Sequence, residues 1–113
     1  MKKLITSLLF VTSSFLFASE ITCIPDGLNT TFDEVYLTKQ SGNRYEVEVV
    51  KNKEVLLTSE VRNSFIRRGG INQFQNKSKQ VIIKTSRLYP NNSKRALIDI
   101  KGYGKYLGYC KLH

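Results

Sequence analysis

Arg44-Tyr45-Glu46-Val47-Glu48-Val49 decides the fold. In an extended chain Tyr45, Val47 and Val49 fall on one side and Arg44, Glu46 and Glu48 on the other. That is the period-two pattern of a half-buried strand. Ala96-Leu97-Ile98-Asp99-Ile100-Lys101 repeats it with Ala96, Ile98 and Ile100 inward. Between these two, Glu54-Val55-Leu56-Leu57-Thr58 and Val81-Ile82-Ile83-Lys84-Thr85 are β-branched or apolar runs of strand length. Residues 20–24, 32–39 and 105–112 complete seven candidate strands. The connections are short and turn-forming: Ser41-Gly42-Asn43, Lys51-Asn52-Lys53, Pro90-Asn91-Asn92-Ser93 and Gly102-Tyr103-Gly104. Short connections make consecutive strands antiparallel neighbours. The expected class is therefore all-β, a small antiparallel meander forming a closed or nearly closed barrel, with a two-sheet sandwich as runner-up. Residues 61–79 alone lack a strand pattern and are assigned to a helical turn around 63–68 or to a long loop.

The two cysteines lie near the ends of this strand region, Cys23 at its start and Cys110 three residues from the C-terminus. Met1-Lys2-Lys3, an apolar stretch from Leu4 to Phe17 and the small residue Ala18 have the three-part layout of a secretory signal peptide. The domains expected are thus a leader, 1–18, and one small β domain, 19–113, secreted or periplasmic after cleavage at Ala18. In such an oxidising compartment the even cysteine pair is expected to join, a disulfide enclosing almost the whole domain. No cysteine has a second one at CxxC spacing, so the bridge reads as structural.

The chemistry available is narrow. Among 113 residues there is no Trp, and the single His is the last residue. Catalysis based on His and metal sites with several ligands lose most of their raw material, so no catalytic residue, metal or cofactor is assigned and the expectation is a protein that is not an enzyme. The charge is the strongest functional signal: formal net +9, or +7 once Lys2 and Lys3 are removed with the leader. A basic balance favours an anionic partner: an anionic polymer, a glycolipid or an acidic protein, with nucleic acid possible but not favoured. Arg67 and Arg68 precede Gly69-Gly70, where a guanidinium fork and open backbone N–H groups can meet phosphate or carboxylate. Lys77, Lys79 and Lys105 are the expected helpers. Tyr103 and Tyr109, interleaved with Lys and Gly, are the candidates for stacking. Glu46 and Glu48 read as surface charge on the wet side of their strand.

Ser41-Gly42-Asn43-Arg44-Tyr45 resembles the Ser-Gly-x-x-Tyr segment of periplasmic inhibitors of c-type lysozyme, over five residues. Those proteins are small, exported, disulfide-closed β-barrels. The resemblance implies an inhibitor of a hydrolase as the alternative to the primary expectation, an exported non-enzymatic binding protein for an anionic partner. A basic ribonuclease working without histidine, with Arg67, Arg68, Lys105 and Tyr103 as its pool, is the third and least favoured function.

Overall fold

The computed structural model describes residues 20–66 and 68–113; the leader segment 1–18, its cleavage site and Arg67 lie outside them. Eight strands follow in order: β1 (Ile21–Pro25), β2 (Glu34–Ser41), β3 (Arg44–Lys51), β4 (Glu54–Ile66), β5 (Ile71–Gln75), β6 (Val81–Ser86), β7 (Ser93–Ile100) and β8 (Gly104–Leu112). Each pairs antiparallel with the next, and β8 pairs with β1, so the sheet closes into a barrel in simple chain order. The described residues contain no helix. Closure, rather than the sandwich, is the outcome.

The alternation seen in the sequence becomes the inside and outside of the wall. Tyr45, Val47 and Val49 of β3 and Ala96, Ile98 and Ile100 of β7 are buried, together with Val35, Leu37, Val61, Phe74, Val81 and Ile83. An eight-stranded barrel is just wide enough for side chains to fill its interior. Two edge-on aromatic pairs complete the packing, Phe32 with Tyr106 (5.3 Å, 82°) and Tyr45 with Phe74 (5.1 Å, 87°). The β3–β4 connection is a two-residue turn with positive φ at both Asn52 (51°) and Lys53 (68°). That geometry matches the right-handed twist of the strands it joins. Asp33 accepts the Asn52 N–H at 2.7 Å, which holds its carboxyl below the usual carboxylate range.

The described residues of 61–79 are neither a helical turn nor a long loop. Val61 to Ile66 complete β4, whose thirteen residues pair with β3 up to Arg62 and with β5 (Ile71–Gln75) from Arg62 onward. The hairpin is cryptic because amides interrupt the apolar inward positions marked by Val61 and Phe74. Asn63 and Asn72 line a small cavity beside Phe74, Ile21 and Leu112, and Asn63 donates to Asn72 Oδ1 at 3.3 Å. That bond partners one atom of each amide, while Asn63 Oδ1 is buried without a partner; two inward amides interrupt the hydrophobic signature of the hairpin.

Closure depends on the β1–β8 seam. Cys23 and Cys110 face each other in register and form the disulfide, both fully buried. Gly108 lies opposite Pro25. A Cβ at Gly108 would overlap the Ile24 carbonyl oxygen and come within 2.9 Å of Pro25 Cα, contacts made by backbone that cannot rotate away. Gly108→Ala is therefore expected to destabilise the oxidised protein by about 3 kcal/mol, at the upper end for overpacking. Removing the bridge with Cys23→Ala/Cys110→Ala is expected to cost about 4 kcal/mol by loop-closure entropy. Urea unfolding midpoints check both.

Candidate functional site

The barrel disperses part of the basic set expected to act together. In a meander successive turns alternate between the two ends. Arg68, in the β4–β5 turn, is therefore at one end, and Lys77 and Lys79, in the β5–β6 turn, are at the other. Lys105, at the start of β8, shares the second end, where the Lys101 N–H donates to the Gln80 carbonyl and ties the β5–β6 and β7–β8 turns together. Lys77 also lines a cleft of about 400 Å³ with Glu60, Arg62 and Asn76. Tyr103 is half-buried against the core, which limits it as a stacking platform. Tyr109 is 46 % exposed, but the Arg95 guanidinium already covers one ring face at 4.7 Å. Arg68, Lys105 and Tyr103 do not converge, so the pool for a histidine-free nuclease is divided between the two ends.

What the fold does assemble is a charge division. Residues 71–113 carry nine Lys or Arg and a single acid, Asp99, whereas residues 20–66 carry five Lys or Arg and eight acids. Because the barrel closes in chain order, these blocks become opposite sides: β5–β8 basic, β1–β4 acidic. The signal was present in the sequence as a running charge count, a standard indicator of asymmetry between halves. It is missed when basic residues are sought as local motifs.

The basic side also has an apolar centre. On the outer face of β8, Lys105, Leu107, Tyr109 and Lys111 point outward in succession, since the alternate residues Tyr106, Gly108 and Cys110 face the interior. Across the ladder Leu97 lies opposite Leu107, Lys84 opposite Leu97, Arg95 opposite Tyr109, and Ile24 opposite Tyr109 on the other flank. Leu107 is 58 % and Ile24 49 % exposed. Arg95 donates to Asp26 Oδ2 at 2.8 Å while lying over Tyr109, which fixes its position. Lys84, Lys105 and Lys111 are exposed and have no ion pair among the described residues.

The acidic side is built differently. Tyr36 donates to Glu34 Oε1 at 2.6 Å, and burial together with that carboxylate pushes the Tyr36 hydroxyl up to about 12. Glu48, expected on the wet face, is only 6 % exposed, and its Oε1 lacks a hydrogen-bond partner. It occupies the central strand of β2–β3–β4, between Tyr36 and Thr58, where cross-strand neighbours crowd it. Ser41-Gly42-Asn43-Arg44-Tyr45 forms the β2–β3 hairpin. Arg44 donates to Ser41 Oγ at 3.2 Å and Tyr45 is buried on Phe74, so the turn and the core account for these residues.

Among the described residues no group of three or more His, Cys, Asp or Glu is gathered as a metal site, and no helix is long and apolar enough to cross a membrane. Burial, with Glu46 adjacent, raises the Glu48 carboxyl above the usual range. A carboxyl whose folded value exceeds its unfolded one favours the fold when protonated. That contribution is complete below an unfolded value of about 4.3 and is lost as pH rises through the raised one. Glu48→Gln is expected to be more stable than the parent at neutral pH and equal to it in acid, as read from unfolding midpoints at the two pH values. Comparison with protein-family models, with curated proteins and with solved structures finds no match.

Proposed function

We propose that this protein is an exported, non-enzymatic binding module that presents the β5–β8 side of its barrel to an anionic partner in the periplasm or outside the cell. The observation that carries this reading is the charge division: nine cations against one acid on one side, with Lys84, Lys105 and Lys111 exposed there. The disulfide agrees with an oxidising compartment. Opposite charge speeds encounter and orients it, so the acidic β1–β4 side turns away from an anionic surface while the basic side turns toward it. Screening over roughly 10 Å at 0.1 M salt makes such binding sensitive to ionic strength.

The test uses inorganic polyphosphate as a probe and the oxidised protein spanning residues 20–113, which contains all eight strands of the closed barrel. Binding is expected at low salt and is expected to weaken steeply at high salt. Lys84→Glu/Lys111→Glu should reduce affinity about tenfold or more, since each tenfold is only ~1.4 kcal/mol. Lys39→Glu/Lys53→Glu, reversing two charges of the β1–β4 half, should leave affinity close to the parent. Equal losses from both pairs would mean that net charge, not the β5–β8 side, governs binding.

A further inference from the structure

Resting on the β5–β8 side as the anion-facing surface, we propose that its partner is an anionic lipid surface, entered by apolar side chains set between lysines that reach the headgroup phosphates. The outward residues of β8 read cation, leucine, tyrosine, cation: Lys105, Leu107, Tyr109 and Lys111. At about 3.3 Å per residue the two lysines stand roughly 20 Å apart along the strand, with the apolar pair between them. Leu97 and Ile24 widen that centre across three strands. A shallow depression of about 250 Å³ extends it to Ile71, with Lys84 and Arg95 in its lining. One residue beyond Gly27, in the loop between β1 and β2, Leu28 is 97 % exposed.

An apolar group contiguous by strand register and flanked by Lys84, Lys105 and Lys111, with Asp99 opposite Lys105 and Asp26 paired to Arg95, marks an interaction surface rather than scattered exposed leucines. Its chemistry has two parts, and a lipid surface supplies the complement of both. Lysine stems lie along apolar material while their ammonium groups reach outward, and tyrosine has an apolar body with a polar tip suited to the same boundary. Charge near an anionic leaflet and buried apolar area act together in interfacial binding. A soluble polyanion would engage the lysines and leave Leu28 and Leu107 in water.

The experiment is co-sedimentation of the oxidised 20–113 protein with vesicles of phosphatidylglycerol in phosphatidylcholine and with vesicles of phosphatidylcholine alone, with inorganic polyphosphate as competitor. The expected result is binding to the anionic vesicles only, reduced about tenfold by Leu107→Asn, the change that a partly buried leucine worth ~1.4 kcal/mol would make. Leu28→Asn, at an exposed loop position, should weaken it as well, and both variants, which leave the charge of the face unchanged, should bind polyphosphate like the parent. If polyphosphate binds, but Leu107→Asn and Leu28→Asn partition onto anionic vesicles like the parent, the lipid inference is overturned and the anion-binding reading stands. Equal binding to phosphatidylcholine vesicles would likewise overturn it. If neither anionic vesicles nor polyphosphate bind, both readings fall.

Discussion

The β1–β8 seam is the constraint on which the rest of the structure depends. Without it the eight strands would form an open sheet with two unpaired edges, each a template for further strand addition. With it, Ile21 to Pro25 pairs along Leu112 to Gly108, and the Asp26 N–H donates to the Leu107 carbonyl just past the end of β1. The bridge between Cys23 and Cys110 and the missing side chain at Gly108 serve one purpose from two directions: one draws the strands together covalently and the other lets the backbones approach. Closure also fixes the charge layout, because it is what turns two blocks of sequence with different charge into two sides of one wall. The β1–β2 loop is held to the same seam region, its Thr31 N–H donating to the Tyr106 hydroxyl at 3.0 Å and its Thr31 hydroxyl to the Tyr103 carbonyl.

Much of this barrel is legible in the sequence because its wall obeys a period of two. Tyr45, Val47 and Val49 or Ala96, Ile98 and Ile100 can only be inward, and an even cysteine pair near both ends of the strand region can only close it. The hairpin of β4 and β5 is illegible for the converse reason. Asn63 donates to Asn72 inside, while Phe65 and Ile66 sit exposed at its tip, Phe65 beneath the Arg87 guanidinium at 4.8 Å. Pairing between amides and cover by an arginine are tertiary facts that no local pattern announces. Glu48 is similar: its alternation places it outside, and only the neighbouring strands reveal that outside is not the same as wet.

The basic character of the candidate site was legible in the sequence, its placement in the fold less so. A basic domain with its single His at the last residue raises the expectation of anion binding, and Lys105 belongs to the face described here. Local motifs, however, drew attention to Arg68, Lys77 and Lys79, which sit in turns at opposite ends of β5. Residues such as Lys84, Arg95 and Lys111 are isolated in sequence and are brought together with Lys105 on one face only by strand register. Arg95 shows how the face keeps its form, since the contact with Asp26 spans the seam and the ring of Tyr109 supports the guanidinium from below. A fixed arginine and free lysines around an apolar centre combine a rigid platform with adaptable reach.

The central claim is that an anionic amphiphile meets the β5–β8 side of the closed barrel. It is tested most directly by mapping amide chemical shifts of the oxidised protein during titration with a short-chain anionic phospholipid. The expected result is a contiguous set of changes at Lys84, Arg95, Leu97 and residues 105–111, reaching Ile24 and Leu28, with residues 44–60 unmoved. Changes centred on residues 44–60, or spread evenly around the barrel, would contradict it.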